Sequence, residues 1–142
     1  MGQLAKSARK RISLLEFTRI FDSEEKAMRF FESVRWRKGR CCPHCGSTET
    51  KEATHKTMPY WCPSCRKYFS VRTKTLMEES RLPYLTWLTA IYLIRTSLKG
   101  ISSTKLGNDL GISQQSAWFL GHRIREGWKA NAPEMLMEIG GS

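Results

Sequence analysis

Apolar residues in the first part of the chain recur at the spacing of a helix. Ser13 and Glu16 form a capping box in "SLLE", which predicts a short helix reaching about Ile20. Asp22 and Glu25 make a second box-like pair in "DSEE", ahead of a longer helix. The buried face of that longer helix is predicted from apolar residues at i, i+3, i+4 and i+7, namely Ala27, Phe30, Phe31 and Val34.

The middle of the chain, residues 41–76, is polar, rich in threonine and poor in aliphatic side chains. Its second half, "YWCPSCRKYFSVRT", alternates aromatic and β-branched residues around a pair of cysteines, which predicts two short antiparallel strands. A segment with so little apolar content is not held together by a hydrophobic core alone. The segment therefore needs a cross-link of another kind.

Helical spacing returns over residues 83–98. Pro83 suits the first turn of a helix, and Gly100 ends it. One face of this helix is predicted to be buried because apolar residues recur on it at steps of three, four or seven: Leu85, Leu88, Ile91, Tyr92 and Leu98.

The stretch from Ser103 to Ile124 has the pattern of a helix-turn-helix, a two-helix unit that reads DNA. Gly111 makes the turn, Ile112 closes the angle between the helices, and Ser113 caps the second helix. The alternative is a plain helical hairpin with a polar face. The inward-facing residues of the two helices are predicted to be Leu106, Leu110, Ala117, Leu120 and Ile124.

The outward face of the second predicted helix offers side chains suited to DNA. Glutamine pairs with adenine in the major groove through two hydrogen bonds, whereas basic side chains hold phosphates without reading sequence. The candidate base-contacting residues are Gln114, Gln115, Ser116, Phe119 and His122. The candidate phosphate-contacting residues are Arg123, Arg125 and Lys129. Trp118 fits the core as well as it fits a DNA contact.

The charge of the chain favours a polyanionic partner. The 24 lysines and arginines outnumber the 13 aspartates and glutamates, which gives a formal net charge of +11. Such an excess favours nucleic acid first and a membrane surface second; the alternative is a basic protein whose charges are only solvated. No signal peptide is recognised, and the longest apolar stretch, "LPYLTWLTAIYLI", is too short to span a bilayer. A cytosolic location with reduced cysteines is therefore expected.

Four of the five cysteines form two C-x2-C pairs, Cys42 with Cys45 and Cys62 with Cys65, separated by 16 residues. This spacing fits a zinc site with four thiolate ligands. In both pairs a proline follows the first cysteine. Taking Cys41 as a ligand would break that match, so Cys41 is predicted to be the spare cysteine.

Alternatives remain open at this metal site. A single iron ion also takes four thiolates, but nothing in the sequence indicates redox chemistry, so zinc is favoured. His44 and His55 are alternative ligands. Four protein ligands leave no open coordination position, and the site is therefore expected to be structural rather than catalytic.

Taken together, the segments resemble one protein family. Over residues 13–130, the runs "FFESVRW", "CPHCGS…CPSCRKYFSVRTKT" and "LPYLTWLTAIYLI…KGISSTKLGNDLGISQQSAWFLGHRIREGW" resemble the N-terminal part of zinc-ribbon insertion-sequence transposases of the DDE class. The resemblance implies that the ribbon and the helix-turn-helix bind the terminal inverted repeats of the element. It also implies that the four paired cysteines hold zinc and that the helix from Gln114 reads DNA.

The chain departs from this family in three places. The relatives continue into an RNase H-like domain whose carboxylates hold divalent metal, and this sequence stops where that domain would begin. It is therefore expected to be a truncated transposase that binds DNA without cutting or joining it. Lys74 stands where glycine is usual, and Gly107 stands where alanine is common, at a helix-propensity cost of about 1 kcal/mol.

The sequence predicts a small α+β protein in which a four-cysteine zinc ribbon of short antiparallel strands lies between an N-terminal helix and a C-terminal helix-turn-helix domain. The predicted segments are a basic arm (1–12), a helical segment (13–38), the ribbon (39–76), the helix-turn-helix domain (77–130) and a tail (131–142).

The expected partners are double-stranded DNA and further copies of the transposase, with no membrane and no small-molecule substrate. The expected location is cytoplasmic, at the nucleoid. The competing functions are a small zinc-ribbon and helix-turn-helix transcription regulator, and an enzyme with a catalytic ribbon, which the closed metal site argues against.

Overall fold

The computed structural model describes residues 12–97 and 99–129, with backbone alone for the last two. The described part is α+β, as predicted, and contains five helices and three strands. The helices are α1 (Leu14–Ile20), α2 (Glu24–Arg35), α3 (Tyr84–Thr96), α4 (Ser103–Leu110) and α5 (Gln114–Lys129). The strands are β1 (Lys51–Glu52), β2 (Tyr60–Cys62) and β3 (Lys67–Phe69). Leu98, the tail and all but the last residue of the predicted basic arm lie outside the described residues.

The chain divides into two compact units. Within the described residues, the helical unit comprises residues 12–28 and 82–129, and the ribbon unit comprises residues 29–81. The ribbon unit is thus wider than the predicted ribbon at 39–76, because it also includes the second half of α2, the residues that follow α2 up to 38, and residues 77–81.

Helix α1 begins at the predicted capping box. The Ser13 hydroxyl accepts the Glu16 N–H at 3.1 Å, and the Glu16 carboxylate accepts the Ser13 N–H at 3.4 Å. Phe17 is buried and stacks on the ring of Tyr92 in α3, with centroids 4.4 Å apart. The Tyr92 hydroxyl also donates to the carbonyl of Ile12. The N-terminal helix is therefore part of the core of the helical unit.

Helix α2 is capped by a different residue from the one predicted. Ser23 accepts the Lys26 N–H on its hydroxyl at 3.2 Å and the Ala27 N–H on its carbonyl, so the predicted Asp22–Glu25 box is wrong. The capping position directly precedes the first helical residue, Glu24, and Ser23 occupies it. Asp22 instead pairs with Lys26 at 3.0 Å on the surface.

The predicted apolar face of α2 is largely buried. Phe30 is only half-buried, whereas the other three residues of the face are fully buried: Ala27, Phe31 and Val34.

Glu24 also closes the N-terminus of α3. Pro83 is the N-cap of α3 rather than a residue of its first turn, and it has no side chain that can accept a hydrogen bond. The Glu24 carboxylate accepts the N–H groups of Tyr84 at 2.6 Å and Leu85 at 2.9 Å. Two helical N–H groups that would otherwise lack partners are thereby satisfied, and the negative charge lies favourably at a helix N-terminus.

Helix α3 is buried over more of its circumference than its predicted stripe. Leu88, Ile91 and Tyr92 are buried as expected, Leu85 is half-buried, and Trp87 and Ala90 are also buried. The helix is the core element of its unit.

Helices α4 and α5 have the caps and the turn that the sequence predicts. Gly111 adopts a left-handed conformation with φ of 72°, and the Ser113 hydroxyl accepts the Ser116 N–H at 3.0 Å. A Cβ at Gly107 would lie 3.0 Å from the carbonyl oxygen of Ile112, so glycine at this position permits a close approach between α4 and the turn. Of the predicted inward residues, Leu110 is half-buried and the others are buried: Leu106, Ala117, Leu120 and Ile124.

The ribbon unit contains an antiparallel sheet in the order β1-β2-β3. The two predicted strands are β2 and β3, and both are confirmed. Strand β1 was not predicted, because its two residues, Lys51 and Glu52, are polar and exposed and show no alternation. In the register, Lys51 faces Trp61, and Trp61 faces Tyr68.

The segment after β3 is held by polar groups. The Ser70 N–H donates to the Thr73 hydroxyl at 3.0 Å, and both residues are buried. Arg35, in the last turn of α2, donates to the carbonyl of Val71 at 2.8 Å. Lys74 adopts a left-handed conformation with φ of 61°, which gives a physical reason for a glycine preference at this position.

Candidate metal centre and nucleic-acid interface

The two cysteine pairs lie on turns of the same local structure. The Gly46 N–H donates to the Cys42 carbonyl at 2.8 Å, and the Arg66 N–H donates to the Cys62 carbonyl at 2.8 Å. Gly46 and Arg66 both have positive φ, at 82° and 59°. The second turn therefore forces a non-glycine residue into the left-handed region, at a cost of about 1–2 kcal/mol.

These turns bring the four thiols together. The sulfur atoms of Cys42, Cys45, Cys62 and Cys65 all lie within 4.8 Å of one another. Cys42 Sγ is 3.7 Å from Cys65 Sγ, and Cys45 Sγ is 3.5 Å from Cys62 Sγ. A tetrahedron with Zn–S bonds of about 2.3 Å has sulfur atoms about 3.8 Å apart. The four cysteines are therefore positioned to bind a metal ion in the way a zinc ribbon does.

Aromatic rings line one side of the thiol cluster. Cys42 and Cys62 are buried together with Tyr60 and Phe69, and the half-buried Trp36 packs against this group. The Trp36 ring meets the rings of Tyr60 and Phe69 edge to face, with centroids 5.8 and 6.0 Å away. These rings restrict the access of water to two of the four sulfur atoms.

The remaining candidate ligands lie outside the cluster. Among the described residues, the potential metal-binding group that includes the paired cysteines contains neither Cys41 nor a histidine. His44 Nε2 is 3.3 Å from the carbonyl oxygen of Tyr68, and His55 Nδ1 accepts the N–H groups of Thr57 and Met58 at 3.2 Å each. Cys41 is the spare cysteine, as predicted.

A comparison with known protein families bears on the same segment. Residues 22–68 match the family model of the transposase zinc-ribbon domain. Over these residues the chain is similar to a transposase zinc ribbon. The matched span begins just before α2, contains all four paired cysteines and ends within β3. No curated protein and no solved structure matches the chain significantly.

The pKa values of the thiols in the ribbon unit are shifted in opposite directions. The backbone N–H of Cys65 lowers the pKa of Cys62 to about 7. Burial raises the pKa of Cys65 to about 12, and the neighbouring thiols add to this effect. At Cys45 the N–H of Ser47 lowers the pKa, but the hydrogen bond with Cys62 and burial outweigh it, and the net pKa is raised.

Zinc binding at about pH 7.5 is expected to release at least two protons, because Cys45 and Cys65 both have raised pKa values and zinc binds thiolates. A zinc-bound thiolate has a depressed pKa, so zinc affinity is high above the pKa of the free thiols and falls as the pH falls. Calorimetry in buffers with different ionisation enthalpies measures the proton count. Release of fewer than two protons would contradict the raised pKa values.

Tyr60 connects α2 with the sheet of the ribbon unit. Its hydroxyl donates to the Glu32 carboxylate at 2.6 Å, and the Arg40 guanidinium lies over its ring at 4.1 Å from the centroid. Burial, followed by the bond to Glu32 and its charge, raises the pKa of Tyr60 to about 12. The hydroxyl therefore remains a hydrogen-bond donor through the neutral range.

The opposite face of the sheet carries a row of rings that was not predicted from the sequence. Tyr68 is 41% exposed and lies between Trp61, with centroids 4.7 Å apart, and His55, with centroids 4.6 Å apart. The exposed Lys51 faces Trp61 on the neighbouring strand. Aromatic rings beside a lysine suit contact with nucleic acid, and the alternation of aromatic residues in β2 and β3 was the available signal.

The structure divides the candidate DNA-contacting residues of α5 into three groups. Ser116 and Arg123 are half-buried, and Ser116 is also within 3.0 Å of Ser113 through its hydroxyl. The side chain of Lys129 lies outside the described residues. The exposed candidates are Gln114, Gln115, Phe119, His122 and Arg125. Two of these are also engaged within the unit, since Gln114 donates to Ser103 at 3.5 Å and Arg125 donates to the Ile101 carbonyl at 3.3 Å.

Two aromatic side chains of α5 are exposed and held by neighbours on the same helix. Trp118 is 58% exposed and stacks on His122, with centroids 5.0 Å apart and an interplanar angle of 12°. Phe119 is 43% exposed, and the Arg123 guanidinium lies over its ring at 5.1 Å from the centroid. The sequence left open whether Trp118 is buried in the core or contacts DNA. In the structure Trp118 is a surface residue.

None of the helices among the described residues is long and apolar enough to cross a membrane.

Proposed function

We propose that this chain binds double-stranded DNA as the recognition part of a transposase, with the terminal inverted repeats of an insertion sequence as its target. The observation that carries the proposal is the transposase zinc ribbon, followed on the same chain by two capped helices whose second member has a polar, basic and aromatic outer face. The formal net charge of +11 suits a polyanion.

In this proposal, α5 enters the major groove. Its first turn presents Gln114 and Gln115, which can each pair with adenine, and the rest of the helix presents the phosphate-binding groups. Arg123 and Arg125 take that role, together with Lys129. Ser116 is better suited to capping α5 than to a base contact, because its N–H donates to Ser113 and its side chain is half-buried.

The ribbon has two roles in this proposal. Zinc, rather than iron, cross-links the two cysteine turns and holds the short strands in place, as expected of a closed four-thiolate site. The outer face of the sheet, formed by Lys51, Trp61, Tyr68 and His55, then supplies a second DNA contact. A DNA partner would place the protein at the nucleoid.

Separate replacement of Gln114 and Arg123 is expected to distinguish a residue that contacts bases from one that contacts phosphates. Gln114→Ala should lower the discrimination between a specific and a random duplex by about 1–3 kcal/mol, because it removes a base contact. Arg123→Ala should weaken binding to both duplexes about equally and reduce the salt slope by about one, because it removes a phosphate contact. The measurement is fluorescence anisotropy with the flanking inverted repeat and with random duplex, at two salt concentrations.

Lys26→Ala is the matched control, since it also removes one positive charge, from α2. It is expected to leave discrimination unchanged. If both test variants bound both duplexes as the parent does, the assignment of α5 as the recognition helix would be wrong.

Incubation with Mg²⁺ or Mn²⁺ and labelled repeat DNA tests the proposal that this chain binds without cutting, and cleavage would contradict it.

A further inference from the structure

We infer that the exposed rings of α5 read the 5-methyl groups of thymine, so that the DNA segment under α5 is rich in A·T pairs. The inference rests on the proposed function, since it specifies which bases the same helix face recognises. Two observations carry it: the exposure of two large rings on the outer face of α5, and the way each ring is held.

The outer face of α5 is the one opposite its buried side. The buried side contains Ala117, Leu120 and Ile124. Helical geometry places Gln115, Trp118, Phe119 and His122 on the other side, and all four are exposed.

The two rings are oriented before any partner arrives. The ring of Trp118 lies nearly parallel to that of His122, and the ring of Phe119 lies under the guanidinium of Arg123. Fixing a side chain in advance removes much of the entropy cost of ordering it on binding. Neighbouring large rings that are exposed on one helix face are typical of a contact surface.

The chemistry of the major groove selects the ligand group. Phe119 has no hydrogen-bonding atom in its side chain, and Trp118 has one donor. Among the groups that base edges expose in the major groove, the thymine methyl is the apolar one. Gln114 and Gln115 each lie four residues before one of the rings, which is about 6 Å along the helix, or one to two base steps. A glutamine on adenine and a ring on a nearby thymine therefore fit neighbouring A·T pairs.

The charge around this face favours DNA over a protein partner. Arg123 lies over the Phe119 ring, Arg125 is exposed on the same helix, and Glu126 is the exposed acid of that helix. The basic groups outnumber the acid, and the chain as a whole carries +11. A negatively charged duplex is the partner that this arrangement fits.

Replacement of thymine by deoxyuridine tests the inference without altering the protein, because uracil lacks only the 5-methyl group. The probes are alternating A·T, A·U and G·C duplexes of about two helical turns. Anisotropy with the zinc-loaded chain is expected to show A·T bound about fourfold more tightly than A·U for each methyl contacted, as expected for burying one apolar carbon. In the double variant with Trp118→Ala and Phe119→Ala, the ratio of the affinities for the A·T and A·U duplexes should fall close to one.

Leu15→Ala is the matched control, since it removes an exposed apolar side chain from α1, outside both proposed DNA-contacting surfaces, and should preserve the ratio. Equal affinity of the parent for A·T and A·U would overturn the inference while leaving duplex binding, and thus the proposed function, intact. A ratio that persisted in the double variant would also overturn it. Failure to bind any of the three duplexes or the flanking repeat would instead overturn the proposed function, and capture of a protein partner by this face would overturn the inference.

Discussion

Cys42→Ser is expected to abolish tight zinc binding and to unfold the ribbon, whereas Cys41→Ser in the adjacent position leaves both unchanged. Cys42 is one of the four clustered thiols and is buried against Tyr60 and Phe69, while Cys41 lies outside the cluster. The two variants make the same chemical change one residue apart. Any difference between them therefore reports ligation rather than the general effect of losing a cysteine.

The expected effect is large because the ribbon has little else to hold it. Structural zinc sites contribute about 10–16 kcal/mol of apparent binding free energy. This is as large as the whole free energy of unfolding of a typical domain, about 5–15 kcal/mol. The strands span only two or three residues each.

Zinc stoichiometry and far-UV circular dichroism with and without chelator measure the two outcomes. A chelated parent chain that kept its zinc-loaded spectrum would show that the metal is not structural.

Phe17→Ala is expected to destabilise the helical unit by about 3–5 kcal/mol, the usual cost of removing a buried phenylalanine ring. Phe17 is 1% exposed and contacts Tyr92 and Phe21 through its ring, with centroids 4.4 and 5.1 Å away. Removing the ring leaves a cavity between α1 and α3. It also leaves one face of the Tyr92 ring without its stacking partner. The measurement is urea unfolding followed by circular dichroism.

Leu15→Ala is the matched control on the same helix. Leu15 is 65% exposed, so its loss is expected to change the free energy of unfolding by no more than about 0.5 kcal/mol. Equal effects of the two substitutions would mean that α1 does not pack on α3 as described.

Features of this protein that depend on neighbours in the chain were predictable from sequence. The capping box at Ser13, the cap at Ser113 and the turn at Gly111 each depend on residues within a few positions of one another. The metal cluster was predictable for a related reason. A C-x2-C turn sets the direction of both thiols locally, and a tetrahedral ion then requires two such turns to meet.

Other features arise only where distant segments meet. Glu24 caps a helix that starts 60 residues later, and nothing near Pro83 in the chain indicates this partner. The same holds for the bond between Tyr60 and Glu32, and for strand β1, whose two exposed residues lack any pattern and pair only because β2 lies beside them.

The residues of α5 show the same division. Its buried face follows from the 3.6-residue period of a helix and was predictable as a stripe. Periodicity left Trp118 undecided between core and surface, and it gave no sign that Arg125 bonds to Ile101. The chain's local chemistry thus set the helices, the N-terminal caps of α1 and α5 and the candidate ligands of the metal. Packing between segments far apart in sequence decided which side chains remain on the surface, because exposure depends on what covers a residue and not on the residue alone.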